Sequence, residues 1–323
     1  MIESVAAVKL PVDETLEIKR NRLVPFKVLT GKEKRISIVT GIHGDELEGQ
    51  YVCYELIRRI QAQRKCLKGV VDVYPALNPL GVDSITRGIP GFDLDMNRIF
   101  PGSENGSMAE YIAHRIIESI SGSDVCIDIH ASNIYLTEIP QVRINELHQE
   151  ALVPLAKKLN VDFIWIHGAN TVLEATLAHS LNSIGTKTLV VEMGVGMRIT
   201  KAYGNQLVDG IFNLMREIGI WDGETEAPVK PIISDRNDQI YFINASVSGV
   251  FVPIADHWQK IKEGEAVGDI INPLTGEVMH HILSPCDGVI FTLRDYPIVD
   301  EGSLIARIFT DEILVQETEE ETV

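Results

Sequence analysis

Gly41-Ile42-His43-Gly44-Asp45-Glu46 follows a short apolar run and carries an imidazole and a carboxylate three positions apart. On a loop leading into a helix, that spacing can turn both side chains toward one point. Zn²⁺ accepts such a pair, and a hydrolytic site needs one more protein ligand with a position left open for water. The pattern by itself is common. A second histidine, His130, ends the apolar run Val125-Cys126-Ile127-Asp128-Ile129. Buried strands of α/β proteins present ligands at their carboxyl ends, so His43, Glu46 and His130 make a credible His₂Glu set for one Zn²⁺ per chain. Asp128 lies two residues back, on the same strand face as His130. It either orients an imidazole from behind or accepts backbone hydrogen bonds. Val191-Glu192-Met193-Gly194 puts a further carboxylate at the end of another apolar strand. Beside a metal, Glu192 is suited to act as general base for water, although a lone Glu after a strand is more often structural.

Between the ligands lie Asn78-Pro79-Leu80-Gly81, then Arg87, then Asp93-Leu94-Asp95-Met96-Asn97-Arg98. Residues 77–101 show little helical or strand periodicity and are rich in Gly and Pro. They read as a long ordered loop, the sort of segment that usually carries function. Arginines in such a loop suit an anion, because a guanidinium can donate two parallel hydrogen bonds to a carboxylate. Surface salt bridging is the alternative that the arginines alone leave open. Arg143 and Arg198 read as surface or structural cations, with pocket lining as the alternative, and the tandem His280-His281 reads as solvent-facing.

Positioning these residues requires a sheet. Residues 5–38 alternate apolar and polar types around a turn at Thr30-Gly31-Lys32, and residues 35–41 form a strand ending at a glycine. Helical spacing follows over 46–60, then a strand over 70–76. Ser107-Met108-Ala109-Glu110 is a capping box, opening a helix with Ile112, Ile116, Ile117 and Ile120 on its apolar side. A buried strand over 125–129, a helix over 145–159, a strand over 188–191 and a helix over 206–218 complete the pattern. Strands alternating with helices argue for an α/β fold with helices on both faces of the sheet.

After Trp221 the helical periodicity stops. Residues 222–230 read as a linker, and beyond it short strands are broken by Gly and Pro. A weak repeat is visible: Gly249-Val250-Phe251 with the later Gly264 is echoed by Gly288-Val289-Ile290 with the later Gly302. Residues 248–308 resemble the barrel-sandwich of lipoyl and biotinyl carrier domains. Carrier chemistry needs a lysine on the hairpin between the halves, and Lys262 is the last lysine of the chain. The expected organisation is a catalytic α/β domain over 1–225, a C-terminal β domain over 231–315 and an acidic tail over 316–323.

The 323 residues carry 29 Lys+Arg against 46 Asp+Glu, a net charge of −17. So acidic a chain is a poor partner for polyanions, and neither nucleic acid nor an anionic membrane is expected. A few local arginines can still hold a small anion. Cys53, Cys66, Cys126 and Cys286 are dispersed and read as reduced thiols. The N-terminus lacks the pattern of an export signal, and no run approaches the ~18 apolar residues of a membrane span. A cytoplasmic location is expected.

Taken in order, HxxE, NPxG, Arg, DLxxNR, DIH and a late strand-end Glu resemble the succinylglutamate desuccinylase / aspartoacylase family, part of the zinc carboxypeptidase superfamily. The motifs span roughly residues 35–200. The resemblance implies a zinc-carboxypeptidase-like mixed α/β sheet flanked by helices, plus a C-terminal all-β barrel-sandwich (lipoyl-like) domain. It implies zinc ligands at His43, Glu46 and His130, Glu192 as general base, Arg87 as the oxyanion's partner, and Asn97 with Arg98 gripping the substrate's free carboxylate. One departure is visible: this loop reads Asp-Leu-Asp-Met-Asn-Arg where the usual form is a tighter Asp-Leu-Asn-Arg. The implied reaction is hydrolysis of the amide bond of an N-acylated amino acid or related small N-acyl amine, in a protein free to form a homo-oligomer. A metallocarboxypeptidase on short peptides would use the same metal and base. A non-catalytic binding protein would need neither Glu192 nor Arg87.

Overall fold

An antiparallel pair, β1 (Ile2–Lys9) and β2 (Thr15–Leu23), opens the chain. It is followed by β3 (Arg35–Thr40), α1 (Glu48–Ala62), β4 (Val70–Tyr74), α2 (Pro79–Ser84), α3 (Met108–Ile120), β5 (Val125–His130) and β6 (Leu136–Asn145). Next come α4 (Gln149–Ala156), β7 (Phe163–His167), α5 (Leu177–Ser183), β8 (Lys187–Gly194) and α6 (Lys201–Glu217). The computed structural model describes residues 1–310 except 28, 93 and 169–173. Asp93 and the expected acidic tail at 316–323 therefore lie outside the described residues.

The sheet is mixed. In the order β1-β2-β4-β3-β5-β8-β6, the inner strands β4, β3, β5 and β8 run parallel, while β2 and β6 are antiparallel to their neighbours. Parallel neighbours need crossover connections, and helices supply them on both faces. Alternation along β3 shows the two layers: Ile36 and Ile38 share a core with Val52, Leu56 and Ile60 of α1 and with Leu207 and Ile211 of α6. Val39 faces the other way, into a core with Ile112 and Ile116 of α3 and Leu177 and Leu181 of α5. The capping box of α3 forms as its sequence predicts. The Ser107 backbone N–H donates to Glu110 Oε2 at 2.8 Å, and the Glu110 N–H donates to Ser107 Oγ at 3.4 Å.

Several local expectations shift. The predicted helix over 145–159 is shorter, because Asn145 ends β6, a 3₁₀ turn covers Glu146–His148, and α4 begins only at Gln149. β6 itself escapes the sequence pattern: a register shift between Glu138 and Gln141 breaks the alternation of its side chains. The stretch 77–101 is not loop throughout, since it contains α2 and a 3₁₀ turn at Met96–Arg98.

Residues 222–231 carry neither helix nor strand. Beyond them lie β9 (Ile232–Ser234), β10 (Ile240–Asn244), β11 (Gly249–Pro253), β12 (Lys260–Ile261), β13 (Ala266–Asn272), β14 (Glu277–Leu283), β15 (Gly288–Arg294), β16 (Ile298–Val299) and β17 (Leu304–Phe309). Strands β14-β13-β11-β16 form a second sheet. The layer opposite it is not a separate sheet: β12, β15, β17 and β10 extend the main one, joined where β15 pairs with β6. The barrel-sandwich expected over 248–308 thus has one sheet of its own, and its other layer is shared with the main sheet. The physical reason is the edge of β6, whose backbone groups need partners and find them on β15. Between the layers pack Phe251, Val267 and Ile270 from one side and Ile290, Ile305 and Ile308 from the other. The repeat seen in the sequence has a structural counterpart, as Gly249 and Gly288 each open a strand while Gly264 and Gly302 turn with φ of +79° and +86°. Among the described residues, no helix is long and apolar enough to cross a membrane.

Candidate active site

β3, β5 and β8 are consecutive parallel strands, so their carboxyl ends lie side by side. Thr40 at the end of β3 is in register with Ile129, and His130 is in register with Glu192. Gly41 turns the chain out of β3 with φ of +69°. Gly44 presses on α2 so closely that a Cβ there would lie 1.9 Å from the Gly81 carbonyl carbon. That contact holds the short loop carrying His43 and Glu46. Asn78 caps α2, accepting from the Gly81 N–H at 3.0 Å and donating to the Gly88 carbonyl at 3.0 Å. The Gly44 N–H donates to the Thr86 carbonyl at 3.0 Å. The backbone on both sides of Arg87 is thus tied down.

His43, Glu46 and His130 are buried, and their donor atoms all lie within 4.8 Å of one another. His43 Nδ1 is 2.7 Å from Glu46 Oε1, and His130 Nδ1 is 2.9 Å from Glu46 Oε2. Each ring has a carboxylate behind it: His43 Nε2 lies 3.1 Å from Asp95 Oδ1, and His130 Nε2 lies 3.2 Å from Asp128 Oδ2. A carboxylate on the far nitrogen fixes the tautomer that leaves Nδ1 free as a ligand. Of the two roles open to Asp128 in the sequence, its place behind His130 matches the orienting one.

The electrostatics agree with a cation between these donors. Burial alone would lower the His43 imidazole, but hydrogen bonds to Asp95 and Glu46 outweigh it and hold the ring above its usual range. Burial likewise opposes, and Asp128 and Glu46 overcome, for His130. Glu46 is held well below the usual carboxylate range despite its burial, through His130 and His43. Three buried groups thus share positive charge among themselves, and a divalent cation replacing those protons would satisfy the same atoms. Two imidazole nitrogens and one carboxylate oxygen are donor types that fit Zn²⁺.

Glu192 stands at the end of β8, with Arg143 Nη1 of β6 3.3 Å from its Oε1. Burial pushes the Glu192 carboxyl up, against the pull of Arg143. Arg87 reaches Glu46 Oε1 at 3.1 Å and Asp95 Oδ2 at 3.4 Å. Asn97 is buried, and its Oδ1 accepts from the Leu177 N–H of α5 at 2.9 Å. With that oxygen committed, the side-chain NH₂ is the part left to donate, which is the right polarity for a carboxylate. Asp95 Oδ1 also accepts from the Asn97 N–H at 2.8 Å, so Asp95-Met96-Asn97-Arg98 forms a self-contained turn. With its two additional residues, the loop still brings Asn97 and Arg98 to the cavity that His43 and Glu46 line. All the residues expected from the sequence, His43, Glu46, Arg87, Asn97, Arg98, His130 and Glu192, line one cavity of about 430 Å³.

Glu138, His148, His167, His179 and Arg307 line it as well, and sequence reasoning did not place them there; Arg143, for which pocket lining was the alternative reading, also lines it. Of the two readings open to Arg143 in the sequence, the structure bears out the pocket-lining alternative over the surface one: its guanidinium sits between Glu138 and Glu192, over the ring of Trp165. The signal was two charged residues, Glu138 and Arg143, in an otherwise largely apolar strand. Arg307 has no local signal. Arg198 is exposed and pairs with Asp295 at 3.2 Å, as the surface reading expects, and His280 and His281 are exposed on β14. Of the cavity's arginines, Arg87, Arg143 and Arg307 each have a carboxylate partner. Arg98 donates Nη1 to the Asn97 carbonyl at 2.8 Å and has no carboxylate partner among the described residues.

The family model of the succinylglutamate desuccinylase/aspartoacylase catalytic domain matches residues 32–218. Over 310 residues the chain is 25% identical to the N-alpha-acetyl-L-2,4-diaminobutyric acid deacetylase of Halomonas elongata, a match spanning 93% of this chain and 89% of that protein. Similar solved structures include the product-bound ectoine utilization protein EutE (DoeB) from Ruegeria pomeroyi, at 18% identity, 94% and 93% coverage of the two chains, and a TM-score of 0.78. A succinylglutamate desuccinylase/aspartoacylase from Rhodobacter sphaeroides matches at 21% identity, 96% coverage of each chain and a TM-score of 0.78. At such identities the structures show the shared fold. The family match runs from before β3 to the end of α6 and contains His43, Glu46, His130 and Glu192, and on it the chain belongs to the succinylglutamate desuccinylase/aspartoacylase family.

Proposed function

We propose that this chain is a zinc-dependent hydrolase that cleaves the amide bond of an N-acylated amino acid or related small N-acyl amine. The observation that carries this reading is the meeting of His43, Glu46 and His130 with Glu192 in one cavity. Zinc held by those three residues would polarise the scissile carbonyl and bring the pKa of a bound water to about 7. The chain's own residues supply the remaining steps. Glu192, its oxygen held by Arg143, takes a proton from the attacking water and returns it to the departing nitrogen, which leaves as an amine. Arg87, on its anchored backbone, donates to the oxygen that gains negative charge. The Asn97 NH₂ and the Arg98 guanidinium hold the substrate's carboxylate.

The Halomonas relative is named for removing acetyl from an N-acetyl amino acid, which makes N-acetyl amino acids the first substrates to try. Arg98 would equally hold the C-terminal carboxylate of a short peptide, and that is the alternative, a metallocarboxypeptidase. On the same footing we divide the chain into a catalytic part over 1–225 and a barrel-sandwich-like β part beginning at 231.

The test is amine release by zinc-loaded protein from N-acetyl, N-succinyl and N-formyl amino acids beside dipeptides, with Glu192→Gln as control. Turnover of an acyl amino acid, reduced on the order of 10²–10⁴-fold in the variant, is the expected result. Turnover of dipeptides alone would select the peptidase, and silence across the panel with zinc bound would overturn both.

A further inference from the structure

Glu138 of β6 is fully buried, yet four donors converge on its carboxylate. Gln141 Nε2 lies at 2.7 Å, Arg143 Nη2 at 3.0 Å, Thr292 Oγ1 at 2.5 Å and Arg307 Nη1 at 2.8 Å. The first two come from β6 itself. Thr292 and Arg307 come from β15 and β17, in the C-terminal β segment, 154 and 169 residues along the chain. The pairing of β15 with β6 sets Thr292 directly opposite Glu138. A carboxylate with no exposure has lost its hydration, so it persists as an ion only where cations and hydrogen bonds surround it.

Arg143 does not end at Glu138. Its Nη2 serves Glu138 while its Nη1 lies 3.3 Å from Glu192 Oε1. The contacts therefore run Arg307–Glu138–Arg143–Glu192, from the C-terminal β segment to the end of β8. Trp165 receives both guanidinium groups, each Cζ 5.5 Å from its ring centre, and Phe242 backs Arg307 at the same distance. Two like charges are steadied on one indole, with one carboxylate between them.

We propose that Arg307 is a positioning residue for Glu192, acting through Glu138 and Arg143. The catalytic consequence rests on the deacylase reading above, whereas the geometric one does not. With Arg307 present, two cations share the buried charge of Glu138, and Arg143 has a nitrogen to spare for Glu192. Without Arg307, Glu138 keeps its full charge against one guanidinium. Glu138 is the more deeply buried carboxylate, at 0% exposure against 15% for Glu192, so its hold on Arg143 is the stronger. Arg143 then turns toward Glu138 Oε1, the oxygen it had shared with Arg307, and lets go of Glu192. The C-terminal β segment thus reaches the reacting atoms through a side chain that never touches them.

The experiment is a crystal structure of zinc-loaded Arg307→Met, with kinetics of that variant and of Arg307→Lys on the N-acetyl amino acids of the panel. In Arg307→Met the Arg143–Glu192 separation should exceed about 4 Å, the limit of an ion pair. kcat should fall roughly 10- to 100-fold, the scale of a displaced catalytic group, while KM stays within about threefold and zinc content is unchanged. Arg307→Lys, which keeps the cation, should recover most of the rate. Adding Glu138→Gln to Arg307→Met should bring Arg143 back to Glu192, because the charge that drew it away is gone. An Arg143–Glu192 contact retained in Arg307→Met overturns the proposal. So does a rate loss that comes with zinc loss and is not repaired by lysine. If Arg307→Met does not fold, Arg307→Gln, which keeps a hydrogen-bond donor on the chain but removes the charge, takes its place with the same geometric criterion. A wild-type protein silent on the panel removes the deacylase reading, and the crystallographic comparison still decides the role of Arg307.

Discussion

Arg98→Ala isolates the group proposed to hold the substrate's carboxylate. Arg98 is exposed, and among the described residues its hydrogen bond is to the Asn97 carbonyl and no ion pair is broken by the substitution. Folding stability should change by less than about 0.5 kcal/mol, which keeps the variant's kinetics free of a folding effect. Hydrogen bonds between a guanidinium and a carboxylate contribute roughly 1.5–3 kcal/mol, or roughly 10- to 150-fold in kcat/KM at about 1.4 kcal/mol per factor of ten. Because Arg98 is open to solvent, screening favours the lower half of that range. The loss should lie in KM, since the carboxylate is gripped equally before and during the reaction. The assay compares wild type and Arg98→Ala on an N-acetyl amino acid and on its carboxamide, which lacks the charge. The acid should lose the stated factor and the carboxamide almost nothing. Equal losses on both substrates, or no loss on the acid, would refute the assignment. Arg87 could not serve in this experiment, because removing it also strips Glu46 and Asp95 of a partner.

Acidification and metal removal give two more outcomes. A general base works only when deprotonated, and burial raises the Glu192 carboxyl while Arg143 lowers it. The acid limb of kcat/KM should therefore follow that raised carboxyl, and Arg143→Met, by removing the downward pull, should move the limb to higher pH. A limb that stays or moves lower separates Glu192 from Arg143. Metal analysis should find one zinc per chain in wild type and in Glu192→Gln, and well under one in His43→Ala and His130→Ala. Since only the folded chain brings His43, Glu46 and His130 together, zinc at 100 times its Kd should add about 2.7 kcal/mol of stability in denaturant unfolding; an unfolding midpoint indifferent to zinc argues against the site.

The three candidate metal ligands were legible in the sequence because His43 and Glu46 follow one apolar run and His130 closes another, and the carboxyl ends of neighbouring parallel strands converge whatever connects them. Arg87, Asn97 and Arg98 were legible through motif order and not through periodicity. Asp95 was visible only as part of a lengthened loop. Its place behind His43 depends on a contact 52 residues apart in sequence. β6 itself was hidden by its bulge, where the two-residue alternation that betrays a strand is interrupted, so its charged pair Glu138 and Arg143 could not be placed on a strand facing Glu192.

Apolar period, capping residues and turn glycines are local properties, so the sequence by itself determined an α/β layer with donors at its strand ends and a β-rich segment after it. Tertiary structure alone decided that β15 joins the edge of β6, that one layer of the C-terminal segment continues the main sheet, and that Arg307 meets Glu138. Which edge pairs with which, and in what register, depends on burial and hydrogen bonding summed between distant segments, and no short stretch of either strand records it.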